Sequence, residues 1–456
     1  MSIRPHHSAL LTDLYELTMA AAYLENDFHA TASFELFVRN LPRQRGYLLT
    51  AGLEQALDFL ETARFSPEEI AFLRAQPVFT HVSDAFFDYL KAFHFSGEVW
   101  AVAEGTPVFA DEPLLRVTGP IIEAQIVETF LLTTLTFQTM IATKAARVVQ
   151  AAGGRGVVEF GSRRAHGPEA GVLAARAAYI GGCMGTSNVE AGFRFGIPTY
   201  GTVAHSFVMA YGDEEESFQR FERVFPDHAI LLVDTYDTLA AIDKIIQLGM
   251  RPRGVRLDSG DLASLSREVR RRLDQGGLGE TKIFASGDLN EHSIAAVLAE
   301  GAPIDFFGVG TELVTSKDAP SLGGVYKLVE LRDDTAEHPR AKFSEDKVTY
   351  PGRKQVFRFR DPQGLYSHDI IARAEEKHAD AEPLLTRVLH NGKRIQPSPP
   401  LQTVKEWAQE SLAHLPELYR RLREPAVYPV KISQSLAQLL EEVRQKTLVT
   451  RTPRGS

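Results

Sequence analysis

Cysteine is almost absent from this 456-residue chain: Cys183 stands alone. One thiol cannot close an internal disulfide or build a cysteine-based zinc site, so a reducing, cytoplasmic setting is expected. An excess of basic residues is lacking too. Lys and Arg total 50 against 59 Asp and Glu, for a formal charge of -9. That balance argues against a general nucleic-acid binder, which carries a basic face. Any anionic substrate must be held by a local cluster of Arg or Lys. No uninterrupted apolar run approaches the ~20 residues of a membrane helix. The first residues carry Arg4, His6, His7, Asp13 and Glu16 around short apolar stretches, so no signal peptide is expected. No sequence repeat is visible. What remains, 44% hydrophobic and 24% charged, is ordinary globular composition, long enough for a large domain plus smaller ones.

Three regions are expected. Residues 1–150 read as an α+β domain. Residues 10–25 have helical spacing, 32–38 alternate like a strand, and a basic loop, Arg39-Asn40-Leu41-Pro42-Arg43-Gln44-Arg45-Gly46, follows. Residues 51–95 look helical, with Ser66-Pro67-Glu68-Glu69 a good helix start. Short strands are expected at 98–102 and 113–117, and Pro120 opens a long helical stretch that ends near Gly153-Gly154. In residues 151–330 a rhythm begins, with apolar runs at 156–160, 199–203, 230–233, 254–257, 282–285 and 304–308. Helical patterns fall between them at 213–225, 235–248, 262–275 and 290–300. Such alternation implies an α/β fold with a parallel sheet or barrel, buried on both faces. Residues 331–456 read as antiparallel strands, such as 356–359, and charged helices packing back on the rest. Residues 333–347 and 391–400 are expected as loops and 451–456 as a frayed end.

In a β/α barrel chemistry collects after the carboxyl ends of the strands. Those positions are rich here: Glu159-Phe160-Gly161-Ser162-Arg163-Arg164, His205-Ser206, Asp234, Asp258-Ser259-Gly260-Asp261, Ser286-Gly287-Asp288 and Gly308-Val309-Gly310-Thr311. Glycine turns let backbone N–H groups approach a phosphate. Arg163 and Arg256 can each fork onto a carboxylate or phosphate. Asp258 can hold ribose hydroxyls and favour positive charge at an anomeric carbon. Blander readings stand beside these. Asp261 and Asp288 can be helix caps, the glycine turns can be tight connections, the charged residues can form internal ion pairs, and Cys183 reads as a small buried residue rather than a nucleophile.

Several motifs in order then resemble one family. Leu11-Thr12-Asp13-Leu14-Tyr15-Glu16-Leu17-Thr18-Met19, Glu159-Phe160-Gly161-Ser162-Arg163-Arg164, Gly201-Thr202-Val203-Ala204-His205-Ser206, Val255-Arg256-Leu257-Asp258-Ser259-Gly260-Asp261 and Gly308-Val309-Gly310-Thr311 are similar to motifs of nicotinate phosphoribosyltransferases, over roughly residues 8–330. The resemblance implies a type II phosphoribosyltransferase: an irregular β/α barrel with an N-terminal α+β domain, acting as a homodimer in NAD synthesis. It implies nicotinate, phosphoribosyl pyrophosphate and ATP as substrates, and the pyrophosphate and ATP bring Mg2+ with them. Phe160 then stacks on the pyridine ring, and Tyr15 covers the other face from the second subunit. Arg163 and Arg256 lie beside base and phosphates, Asp258 binds ribose, and Gly287, Gly310 and Thr311 cradle the 5′-phosphate. Arg39 reaches the pyrophosphate across the dimer. His205 accepts a phosphoryl group from ATP, with Asp234 orienting its ring. The turn Gly185-Thr186-Ser187-Asn188 brings Thr186 and Ser187 to the base. In the related nicotinamide enzyme an aspartate stands at the place of Ser187; a hydroxyl there donates to nicotinate where a carboxylate would repel it.

Other readings remain at this point. A nicotinamide or quinolinate phosphoribosyltransferase uses a similar frame. A sugar-phosphate lyase or isomerase on a β/α barrel would want a lysine or an acid–base pair at the strand ends, and none of those ends is a lysine. A non-catalytic metabolite sensor could lose His205 without penalty.

Overall fold

The computed structural model describes residues 8–344 and 347–451. Arg4, His6 and His7, and all but the first residue of the expected frayed end, fall outside them. The chain folds as two compact units. One comprises residues 140–320 and 401–409, the other residues up to 139 with 321–400 and 410 onward. The expected boundaries at 150 and 330 therefore fall elsewhere: the first division lies inside the helix Glu128–Ala151, and the strand Gly324–Arg332 joins the N-terminal sheet.

The reason is pairing. The strand Thr31–Val38 is buried along nearly its whole length and pairs antiparallel with both Gly324–Arg332 and Pro113–Pro120. A central strand buried on both faces needs ladders on both edges. A second sheet of this unit sets Lys354–Arg360 between Ala381–Pro383 and Tyr366–Arg373. Residues 333–347 and 391–400, expected as loops, carry the short strands Glu337–Pro339, Phe343–Ser344 and Lys393–Arg394. Two-residue strands are too short for alternation to register. Ser66 does begin a helix, closing a capping box with Glu69. The stretch Ile121–Ala151 is long and apolar enough by composition to cross a membrane, but 67% of its most apolar window is buried inside the protein. It also carries the buried ions Lys144 and Arg147, which pair with Glu291.

Under the second sheet lies a buried knot of charge. Arg358 forks onto Asp369 at 2.6–3.1 Å, the Tyr428 hydroxyl donates to the same carboxylate at 3.1 Å, and Glu112 is wholly buried beside them. Burial, then the neighbouring Asp369 charge, pushes the Glu112 carboxyl well above its ordinary range. A raised acid contributes stability fully below its unfolded value and loses it as pH rises through the folded one. Glu112→Gln should therefore cost little at pH 7. Melting curves at pH 5 and pH 8 should show the parent losing more stability across that interval than the variant; parallel losses would place the linkage elsewhere.

The other unit is the barrel. Its strands are β1 (Gly156–Glu159), β2 (Gly185–Thr186), β3 (Ile230–Leu232), β4 (Gly254–Leu257), β5 (Lys282–Ala285) and β6 (Phe306–Val309). They run parallel in the order β2-β1-β6-β5-β4-β3, so the ring is interrupted between β2 and β3. The expected strand at 199–203 is a correction. That run makes a single bridge, Thr199 to Thr186, and β2 takes its place beside β1. Gly185 allows this close approach, since a Cβ there would lie 2.2 Å from the Pro198 carbonyl. Residues 201–204 then leave the sheet, and His205 opens the helix His205–Tyr211.

Candidate active site

The strand ends bring four of the expected residues into one chain of hydrogen bonds. His205 Nε2 lies 3.3 Å from Asp234 Oδ1. The other Asp234 oxygen accepts from the Asp258 N–H at 3.0 Å and the Ser259 hydroxyl at 2.6 Å. Arg256 Nη2 donates to Asp258 Oδ1 at 2.6 Å, while its Nε and Nη1 donate to the hydroxyls of Ser286 and Thr202, each at 2.8 Å. The Ser286 hydroxyl also donates to Asp258. Three donors on one guanidinium fix its plane, which a lysine could not do. Burial works against the Asp258 charge, but the Ser286 hydroxyl, Arg256 and then His205 outweigh it and hold this carboxyl below the usual range. The His205 side chain is 44% exposed and Asp234 only 4%: a buried carboxylate presents an open imidazole.

Beside this chain stands an aromatic wall. Phe160, just past β1, stacks on Phe284 of β5, with centroids 5.4 Å apart and planes inclined by 21°. The Arg256 guanidinium lies 5.7 Å from the Phe160 centroid. Gly308 makes room for both rings, because a Cβ there would sit 2.6 Å from Phe160 and 2.8 Å from Phe284. Gly287 is fixed by conformation and space, with φ at +98° and its would-be Cβ 2.1 Å from the Asp258 carbonyl. Gly310 precedes the single helical turn Thr311–Val314; it and Gly287 end neighbouring strands.

Glu159 is the buried anchor of two turns at these strand ends. Its carboxylate accepts from the Gly161 N–H and from the Thr186 hydroxyl at 2.6 Å. Its carbonyl accepts the Ser187 N–H at 2.9 Å. The Thr186 hydroxyl also accepts from the Asn188 N–H at 2.9 Å, so it holds the turn while Ser187 stands half-buried at its edge. Arg163 is exposed, in the one-turn helix Ser162–Arg164. Tyr15 and Arg39 belong to the other unit. Tyr15 is 49% exposed; Arg39 is half-buried and faces Asp111.

Two bland alternatives hold. Asp261 caps the helix Leu262–Gln275 by accepting the Ser264 N–H. Cys183 is fully buried, and burial, then the Glu159 charge, pushes its thiol up to about 12. Asp288 is not a cap; Asn290 fills that role. Among the described residues no group of three or more His, Cys, Asp or Glu is placed to hold a metal.

Comparison with known proteins now adds to this geometry. The profile of the nicotinate phosphoribosyltransferase (NAPRTase) N-terminal domain matches residues 10–136, and that of the nicotinate phosphoribosyltransferase C-terminal domain residues 377–440. Between them, the quinolinate phosphoribosyl transferase C-terminal domain matches residues 141–319. A nicotinate phosphoribosyltransferase of Mycobacterium tuberculosis is 47% identical over 452 residues, covering 97% of this chain and 96% of its own length. The chain belongs to the nicotinate phosphoribosyltransferase family. The Bacillus subtilis member is 39% identical over 475 residues, covering 96% of each chain. The crystal structure of human nicotinic acid phosphoribosyltransferase matches with a TM-score of 0.83 at 31% identity, over 95% of this chain and 99% of that one. The fold is thus the mixed α/β, type II phosphoribosyltransferase architecture of this family, and family membership sets aside the lyase, isomerase and sensor readings.

Within the family frame, several participants escape the sequence. Thr202, Ser259 and Ser286 make their contacts with partners 25 to 54 residues away in the chain, and Phe284 stacks on Phe160, which is further off still. Ser286 and Ser259 do follow strand ends next to aspartate or glycine, which is the one local signal they carry.

Proposed function

We propose that this chain joins nicotinate to the ribose of phosphoribosyl pyrophosphate, forming nicotinate mononucleotide and pyrophosphate, in a reaction coupled to ATP hydrolysis. The observation that carries the reading is the Arg256–Asp258–Ser286 knot beside the Phe160 wall. The pyridine nitrogen forms a bond to the anomeric carbon as the C–O bond to pyrophosphate breaks. Asp258, kept ionised, faces the positive charge that builds on the ribose. Phe160 stacks on a ring that ends as a cation, an arrangement favoured by the face of an aromatic. Gly287, Gly310 and Thr311 receive the 5′-phosphate through backbone N–H groups. Mg2+ carried by the pyrophosphate would supply charge neutralisation there.

In the same reading His205 attacks the γ-phosphorus of ATP, ADP leaves, and water later releases phosphate. Asp234 faces Nε2, which leaves Nδ1 as the attacking nitrogen. Tyr15 and Arg39 are lent by a second copy of the chain. Mixing Arg39→Ala and His205→Ala chains, each nearly inactive in ATP-coupled turnover, should restore part of it, since one site of the heterodimer has both groups. No recovery despite proven heterodimers would contradict a shared site.

Base choice supplies a further test. Nicotinate, nicotinamide and quinolinate should be compared at fixed phosphoribosyl pyrophosphate, with nicotinate giving by far the highest kcat/KM. Ser187→Asp should lower that value about tenfold or more, because like charges near 4 Å repel by more than ~1 kcal/mol at a protein surface. An unchanged value would remove Ser187 from base selection.

A further inference from the structure

In the first turn of the helix Leu14–Glu25 an exposed side chain is followed directly by a buried one. Tyr15 is 49% exposed, and the next residue, Glu16, is completely buried. Gln125 reaches both Glu16 and Glu128: its Nε2 donates to Glu16 Oε2 and, at 3.2 Å, to Glu128 Oε2. The remaining Glu16 oxygen, Oε1, is buried without a hydrogen-bond partner. An orphaned, buried carboxylate oxygen is costly when charged and much less so when the group shares a proton. The Tyr15 hydroxyl faces this same Glu16 carboxyl.

We infer that the Glu16–Glu128 carboxyl pair, bridged by Gln125, positions Tyr15 and passes its own protonation state to the binding of the anionic base. The inference rests on the reading of Tyr15 as the residue that covers the base. Glu16 and Glu128 act through Tyr15 and are positioning residues.

The surroundings are almost wholly acidic or neutral. On the same segment are Asp13, which accepts from the Thr129 hydroxyl at 3.0 Å, and Tyr23. The strand Gly324–Arg332 brings Tyr326, whose hydroxyl donates to the Ala124 carbonyl at 2.7 Å, and Lys327, a cation that acts on Glu128. The helix Asp84–Ala92 meets the far end of the Tyr15 helix, where Glu25 accepts from Ser83. Burial first, then the Glu16 charge, raises the Glu128 carboxyl to about 7, with Lys327 opposing. Two carboxyls this close titrate as a pair that keeps one proton until near neutrality. Losing that proton places a second negative charge behind Tyr15, where nicotinate would bring its own carboxylate. The apparent affinity for nicotinate should fall as pH rises through about 7, while the neutral nicotinamide would feel no such change.

The test uses the full-length enzyme. KM for nicotinate, measured from pH 6 to 8.5, should rise several-fold in the parent. In Glu128→Gln it should stay near the low-pH value, with kcat following the parent. Glu16→Gln serves as a second route if Glu128→Gln folds poorly. Independently of activity, the 13C resonance of the Tyr15 ring, assigned with Tyr15→Phe, should titrate near pH 7 in the parent and lose that titration in Glu128→Gln. A resonance that does not titrate in the parent overturns the inference. So does a KM profile that is identical in parent and variant while Tyr15→Ala impairs nicotinate use. If Tyr15→Ala changes neither KM nor kcat, the reading of Tyr15 at the base has failed instead, and the resonance alone then decides whether the pair positions the ring.

Discussion

Replacing His205 by alanine should abolish ATP hydrolysis, a loss of roughly a thousandfold or more, as expected when the attacking atom is removed. Slow transfer that needs no ATP should remain. The wall of Phe160 and Phe284 and the Arg256–Asp258 pair do not depend on the imidazole, so the ribosyl chemistry keeps its contacts. The imidazole suits its proposed task because it is half open to solvent and held from behind by a carboxylate only 4% exposed. A neutral ring near pH 7 is a competent nucleophile. Incubation with γ-labelled ATP should leave an acid-labile, base-stable label on the parent protein and none on His205→Ala. A variant that still labels, or whose transfer ATP still stimulates, would reduce His205 to an ordinary binding residue.

The second large effect is expected at Arg256. This side chain makes three charge-assisted hydrogen bonds, to Asp258, Ser286 and Thr202. Arg256→Ala removes all three and leaves Asp258, partly buried, without its cation. Breaking such a pair costs about 2–5 kcal/mol, which corresponds to a fall in kcat/KM of about thirtyfold or more. Arg256→Lys should recover little, because an ammonium cannot reach three partners in one plane. Asp258→Asn should act mainly on kcat, since the uncharged amide cannot answer the charge developing on ribose. The pH dependence follows the sign of the shift. The Asp258 carboxyl is held below its ordinary range, so its contribution is present above the unfolded value near 4 and is lost only as pH falls through the lower folded one. A steep acid loss of activity in the parent between pH 6 and 5 would have to come from another group.

How much of this was readable beforehand depends on the range of the cause. Residues 254–257 and 282–285 become strands with the expected bounds, because each is a short apolar run closed by a glycine or aspartate turn, and that is a local signal. Two residues carry no periodicity, so nothing in the sequence marks β2, and the apolar run 199–203 reads as the strand in its place although it makes a single bridge to Thr186. The charged strand ends stood out because Arg256, Asp258 and Asp234 are costly to bury without a purpose. Their partners Thr202 and Ser286 lie in the same motifs, but their role as hydrogen-bond partners of Arg256 is not local, since hydroxyls are common and these bonds span 54 and 30 residues of chain. The domain boundaries went astray for the same reason: only the ladder between Thr31–Val38 and Gly324–Arg332 tells where the first unit resumes. Phe160 and Tyr15 were singled out through the family motifs, and periodicity alone would have passed over both.

The most direct test of the proposed reaction is a single incubation of the purified chain with ring-labelled nicotinate and phosphoribosyl pyrophosphate, with and without ATP. Label should move into nicotinate mononucleotide, with one pyrophosphate released per product, and ATP should raise both rate and extent. No labelled nucleotide from nicotinate, or turnover confined to quinolinate with loss of carbon dioxide, would contradict it.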